Sequence, residues 1–245
     1  MTATPAAAAE RQKGGALAQI KERAKHLAHG AVAPIVGALA ALGVRPDHLT
    51  WLGLALGIAA GFAFFDGHSR VGAALLAAGG LCDLLDGELA RRRGAESPFG
   101  AFLDSTLDRL SEAAALAGLA GFGLRNLATL VAEPGRAVRE REIGLYPEAW
   151  MALVLFAVLA LVGSFMVSYT RARAEGLGLD CRVGWFERPE RLVLLIAAGA
   201  LQVFWAMPVA LLLLAVLSFT TAAQRVAHVW RRTRGHHVER GPGRD

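Results

Sequence analysis

Residues 83–108 read DLLDGELARRRGAESPFGAFLDSTLD, and long uncharged apolar runs stand on either side of them. Asp83 and Asp86 are three apart, and Asp104 and Asp108 four apart, so each pair falls on one face of its helix. An ionised carboxylate at membrane depth costs roughly 2.5–3.5 kcal/mol on insertion scales unless something compensates it. Four converging carboxylates need positive charge, and hard divalent cations such as Mg²⁺ take oxygen ligands of this kind. The stretch therefore reads as a metal site that handles phosphate.

The flanking chain reads as a membrane protein. Of its 245 residues, 54% are hydrophobic, and uncharged runs cover 49–65, 71–82, 113–124, 149–170 and 192–224. About 20 apolar residues cross a bilayer. This predicts an all-α integral membrane fold of six transmembrane helices, at 47–66, 70–93, 98–125, 147–175, 188–206 and 208–230. The last two share one apolar run, divided by a turn near Ala206–Pro208. With both termini inside, 20 Lys/Arg fall on the cytoplasmic side. Arg70, Arg125, Arg136, Arg139 and Arg141 fall outside, and Arg109 lies within a span. That imbalance predicts a multi-pass protein of the cell membrane, N-in and C-in, with the aspartates at the cytoplasmic ends of spans two and three. With no soluble basic domain, the net charge of +5 marks topology rather than nucleic-acid binding.

Residues 1–14 read as disordered and lack the basic-then-apolar order of a secretory signal. Residues 15–30 mix Leu17, Ile20, Ala24 and Leu27 with Lys21, Arg23 and Lys25. That pattern predicts an interfacial amphipathic helix at the start of a membrane domain covering 15–230. Residues 126–146 form the one sizeable outer loop, with no role assigned, and 231–245 form a polar cytoplasmic tail. Cys82 and Cys181 are expected as free thiols. No histidine accompanies the acids, which argues against a zinc or di-iron centre.

Small residues accompany the carboxylates. Gly87 lies one turn after Asp83 and has no Cβ to keep a ligand from the backbone. Ala90 keeps the same face low, and Arg91 offers a planar fork of donors to a phosphate. Ser97 and Pro98 read as an N-cap and first helical residue that restart the chain as span three. Gly100 is again small, one turn before Asp104. Together these residues suit a holder for a metal-bound diphosphate. The alternative is that Gly87, Ala90 and Gly100 merely let helices pack closely.

The spacing D-x2-D-G-x2-A-R-x8-G-x3-D-x3-D resembles the signature of the CDP-alcohol phosphotransferase family at every fixed position. The resemblance implies six transmembrane helices, a homodimer, and two divalent ions, Mg²⁺ or Mn²⁺, held by Asp83, Asp86, Asp104 and Asp108. It further implies that an alcohol hydroxyl attacks the β-phosphorus of a CDP-linked lipid and releases CMP, with Asp108 also the general base. Asp83, Gly87, Arg91, Ser97 and Gly100 match positions that line the nucleotide and diphosphate pocket. The chemistry is coherent, since metals offset the diphosphate's charge and a carboxylate beside the hydroxyl removes its proton. Upstream, GVRPDHLT (43–50) resembles the family's entry to the first span. Thr50 is a candidate nucleotide contact there. Asp47 stands in the usual Asn place and reads equally as a helix cap.

A second cluster bears on the acceptor. SYTRARAEGLG (168–178) and FERPERL (186–192) place Arg171, Arg173, Arg188 and Arg191 at the cytoplasmic ends of spans four and five. Positive-inside bias puts some arginines there regardless, but four so close predict an anion pocket. These segments resemble those of the phosphatidylinositol phosphate synthases and their archaeal ether-lipid counterparts, whose acceptor is inositol phosphate. The resemblance implies that Arg171, Arg191 and Arg231 hold the acceptor's phosphate. Arg171 stands where lysine is more usual, which alters the geometry and keeps glycerol 3-phosphate, the acceptor of a phosphatidylglycerophosphate synthase, in competition.

Three other classes compete. Membrane prenyltransferases also hold Mg²⁺-diphosphate with two aspartate motifs, but far apart in a longer chain, whereas only residues 87–103 separate Asp86 from Asp104. A divalent-cation transporter explains intramembrane acids but not Gly87, Arg91 and Gly100. A buried structural charge network explains them no better. Metal-dependent CMP release from a CDP-lipid is expected only of the transferase.

Overall fold

A computed structural model of the chain describes residues 30, 32–142, 146–201, 203 and 205–234. The expected disordered segment 1–14, nearly all of the amphipathic segment 15–30 and most of the tail lie outside the described residues. Among the described residues all regular structure is helical. The elements are α1 (Val32–Ala41), α2 (Pro46–Phe65), α3 (Ser69–Arg93), α4 (Pro98–Ala132), α5 (Pro134–Glu142), α6 (Pro147–Glu175), α7 (Arg188–Leu201) and α8 (Ala206–Thr233). Of these, α2, α4, α6 and α8 are long and apolar enough to cross a membrane. Charged residues at both ends of α3 keep it out of that set. The 14 residues of α7 reach only about 21 Å, short of the roughly 30 Å hydrocarbon core.

Two boundaries differ from expectation. Helix α7 ends at Leu201 and α8 already begins at Ala206, earlier than a turn near Ala206–Pro208 predicts, and the Val209 N–H donates to the Trp205 carbonyl at 3.1 Å. Pro208 lies in the first turn of α8, where a missing N–H costs nothing. The segment 126–146 is also less of a loop than its polarity predicts, because α4 continues to Ala132 and α5 follows at once. Arg136 explains the second helix. It donates to Glu140 at 2.7 Å, Thr129 at 2.8 Å and Asn126 at 2.6 Å. The Trp150 indole N–H reaches the other Glu140 oxygen at 3.0 Å, so α5 is clasped to α4 and α6.

The chain divides into two compact units. The first takes the described parts of Met1–Leu52 with Leu81–Asp104. Its core is Val32, Val36, Leu49, Leu85 and Leu89. Arg92 donates to the Ala33 carbonyl at 3.3 Å and Arg93 to that of Ala40 at 2.6 Å. Two arginines read as topology markers therefore also tie α1 to the end of α3. That end is sharp: Gly94 is left-handed (φ 60°), its N–H donates to the Arg91 carbonyl, and the Ala95 N–H donates to that of Ala90. This Schellman pair closes α3. Ser97 then accepts the Gly100 N–H at 3.0 Å, the expected N-cap, and α4 begins at Pro98. Local capping thus sets where each aspartate pair sits.

The second unit takes Gly53–Gly80 with the described part of Ser105–Asp245. Phe64, Leu76, Leu116, Leu195, Leu211 and Leu214 anchor its core, and α8 packs along α6 and against α7. Here α2 and α4 meet with almost no side chain between them. A Cβ on Gly57 would strike Ser111, one on Gly61 the Ala114 carbonyl, and one on Gly118 the Gly61 carbonyl. Overpacking costs at least about 1–3 kcal/mol, so Gly118→Val is expected to lower the melting temperature in detergent by several degrees. An unchanged melting curve would mean the two helices do not touch at this point.

Candidate metal and phosphate site

In the first unit, the C-terminal half of α3 carries Asp83 and Asp86, and the start of α4 carries Asp104. One oxygen of Asp83 and one of Asp104 lie within 4.8 Å of each other. Asp86 is buried, and its Oδ2 accepts the Thr50 hydroxyl at 2.7 Å. Along α4 itself, Asp108 follows Asp104 by one turn, again with an oxygen of each within 4.8 Å. Negative charges this close repel one another unless a cation lies between them. The grouped donors are all carboxylate oxygens, the set that suits a hard divalent ion. Thr50, expected as a nucleotide contact, is thus hydrogen-bonded to Asp86, which stands outside the grouped carboxylates.

The small residues leave room on these faces. Among the described residues, a Cβ on Gly87 would meet only the Arg91 guanidinium, at 3.7 Å, and one on Gly100 only the Ser97 hydroxyl, at 3.1 Å. Among the described residues, neither glycine meets a neighbouring helix. Arg91 donates to Glu88 from Nε and Nη2 at 3.3 and 2.8 Å. That pair is exposed and so contributes little, which leaves the fork easily exchanged to a phosphate.

The arginine cluster belongs to the second unit. Glu190 Oε2 accepts the Glu187 N–H at 2.9 Å, half of a capping box. It starts α7 so that Arg188 and Arg191 lie one turn apart. Arg188 Nη2 pairs with Asp108 Oδ1 at 2.7 Å. Arg191 is 2% exposed and donates from Nε and Nη2 to the two Glu112 oxygens, at 2.6 and 2.8 Å. The Ser164 hydroxyl adds a third donor to Glu112 at 3.0 Å. Arg171 pairs with Glu175 at 2.9 Å and lies 3.8 Å from Glu187. Arg231 sits exposed near the end of α8, with no ion pair among the described residues. Three of the four predicted phosphate arginines are thus each engaged by a different carboxylate.

A profile of the CDP-alcohol phosphatidyltransferase family matches residues 44–223. The chain belongs to the CDP-alcohol phosphatidyltransferase family. It is 40% identical over 189 residues to an archaetidylinositol phosphate synthase of Methanothermobacter thermautotrophicus, covering 76% of this chain and 83% of the relative. It is 35% identical over 207 residues to a phosphatidylinositol phosphate synthase of Mycobacterium marinum, covering 80% and 78%. Among solved structures, it resembles a Mycobacterium tuberculosis phosphatidylinositol phosphate synthase with CDP-DAG bound, with TM-score 0.64, 34% identity, and 80% and 92% of the two chains covered. A second structure of that synthase, in complex with manganese and citrate, gives TM-score 0.65 at 33% identity, covering 81% and 88%.

The protein is therefore a metal-dependent transferase of phospholipid synthesis, and the prenyltransferase, transporter and structural readings fall away. In this CDP-alcohol phosphatidyltransferase the matched region contains the four aspartates, Thr50, Arg171, Arg188 and Arg191, whereas Arg231 lies beyond it. Sequence reasoning passed over two residues that bear on the cluster. Arg225, counted only as a topology marker, is 2% exposed. It donates to the Val183 carbonyl at 2.9 Å and to that of Val167, and lies 3.5 Å from Glu187. It thereby fastens the segment that leads into Arg188. Glu112 was the other, although its position four residues after Asp108, against an uncharged run, was a visible signal.

Proposed function

We propose that this transferase moves the phosphatidyl group of a CDP-linked lipid, such as CDP-diacylglycerol, to inositol phosphate, giving phosphatidylinositol phosphate and CMP. The observation that carries the acceptor is the set Arg171, Arg188 and Arg191, held about Glu175, Glu187, Asp108 and Glu112. It occurs in a chain 40% identical to an inositol-phosphate lipid synthase. On this reading Asp83, Asp86, Asp104 and Asp108 hold two divalent ions, Mg²⁺ or Mn²⁺, which when bound offset the diphosphate's charge. Asp108 takes the proton of the acceptor hydroxyl as its oxygen bonds to the β-phosphorus, and the bond from that phosphorus to the bridging oxygen breaks to release CMP. Gly87 and Gly100 leave space for the nucleotide diphosphate, Arg91 and Ser97 line it, and Thr50 keeps Asp86 aimed. Arg171, Arg188, Arg191 and Arg231 take the acceptor's phosphate. The enzyme is a homodimer of six-span subunits in the cell membrane, α3 and α7 completing the spans, with both termini and the site cytoplasmic.

The test is purified protein with CDP-diacylglycerol, Mg²⁺ and, separately, inositol phosphate, inositol, glycerol 3-phosphate and glycerol. CMP release is expected with inositol phosphate above all others. Faster release with glycerol 3-phosphate transfers the assignment to a phosphatidylglycerophosphate synthase, and release only with the unphosphorylated alcohols removes the arginines from acceptor binding.

A further inference from the structure

We propose that Glu112 is a positioning residue, which grips one edge of the Arg191 guanidinium so that the opposite edge is presented in a single orientation to the acceptor's phosphate. The proposal rests on the reading of Arg191 as a phosphate ligand. A carboxylate 7% exposed, on a helix apolar enough to cross a membrane, is costly unless it is paired and hydrogen-bonded. Glu112 is both. Its two oxygens receive Arg191 Nε and Nη2, and the Ser164 hydroxyl takes a further lone pair of Oε1.

A guanidinium carries five N–H groups in one plane, and a side-on carboxylate occupies the Nε/Nη2 edge. What remains is the Nη1/Nη2 edge, the arrangement that matches two phosphate oxygens. Among the described residues, Arg191 Nη1 donates to nothing, so that edge is uncommitted. A flexible arginine loses side-chain freedom on gripping a ligand; here the loss is already met by the fold, because α4 and α6 hold Arg191 in place. The same pairing offsets the buried charge while no acceptor is bound. Glu112 also continues the four-residue ladder Asp104, Asp108, Glu112 along α4. One helix therefore carries both the proposed base and the group that aims the proposed acceptor ligand.

The experiment measures steady-state CMP release by the full-length protein, varying inositol phosphate and CDP-diacylglycerol in turn. Glu112→Gln keeps the shape but loses the charge that selects one guanidinium edge. It is expected to raise the acceptor KM by about tenfold or more, the scale of one charge-assisted hydrogen bond, and to leave the KM for the CDP-lipid unchanged. Glu112→Asp, which keeps the charge, is expected to recover part of the loss. If Glu112→Gln does not fold, Ser164→Ala loosens Glu112 while leaving Arg191 in place. That variant is expected to fold and to raise the acceptor KM while leaving the KM for the CDP-lipid unchanged; no change in the acceptor KM overturns the positioning role. Lower melting temperature with both KM values unchanged, or equal rises in both, overturns the positioning role. Wild-type protein that releases no CMP with any phosphorylated alcohol defeats the acceptor reading itself, a distinct result.

Discussion

Asp108→Asn is expected to lower CMP release by about 10²- to 10⁴-fold, the range typical of losing a general base, while the protein remains folded. Asparagine has the same outline, and its carbonyl oxygen can still accept the Arg188 guanidinium, which sits 2.7 Å from Asp108. What it cannot do is take a proton or supply a full negative charge to a cation. The carboxylate is largely sheltered, at 19% side-chain exposure, so solvent has little access to substitute for it. The pair of readouts is the turnover rate with saturating substrates and the melting temperature. Turnover near the wild-type rate in a variant that melts normally would remove Asp108 from the base role. A collapse in melting temperature would instead make the Arg188 pairing structural.

The other large effect is metal dependence. Chelation is expected to bring CMP release to background, and added Mg²⁺ or Mn²⁺ to restore it. Binding can also be read without activity, because an ion that binds only the folded state stabilises it by about 2.7 kcal/mol at a hundred times its Kd. Wild-type protein should therefore melt higher with Mg²⁺ than with chelator. Asp104→Asn removes one of two oxygens that lie within 4.8 Å of each other and relieves their repulsion. That variant should melt at least as high as wild type in chelator, yet lose the rise on adding Mg²⁺. A wild-type melting temperature indifferent to Mg²⁺ and Mn²⁺ would remove the aspartates as metal ligands.

The site's first half was legible because it is built from short-range rules. Helical period pairs Asp83 with Asp86 on α3 and Asp104 with Asp108 on α4, although the grouped carboxylates are Asp83, Asp104 and Asp108, and Asp86 is left to Thr50. Serine before proline predicts the cap, found as the 3.0 Å bond from the Gly100 N–H to Ser97. The stop of α3 at Gly94 follows from the same local chemistry. The second half was not legible. Positive-inside counting treats every cytoplasmic arginine alike, yet Arg191 is locked to Glu112 across 79 residues, Arg225 caps carbonyls 42 and 58 residues away, and Arg171 remains at the surface. Polarity alone also hid α5, since its exposed-looking run of arginine and glutamate is held by Arg136 and Glu140 bonded to each other and to α4 and α6.

The amino-acid sequence by itself determined the carboxylate motif, the helical character of the chain and the family, because side-chain period, capping and membrane solvation act within a few residues. Only the tertiary structure decided which acid each arginine meets, which glycines bring helices into contact and where α7 turns into α8. Those depend on partners far apart along the chain, and the free energy of burying a charge is set by the partner it finds there rather than by its own neighbours.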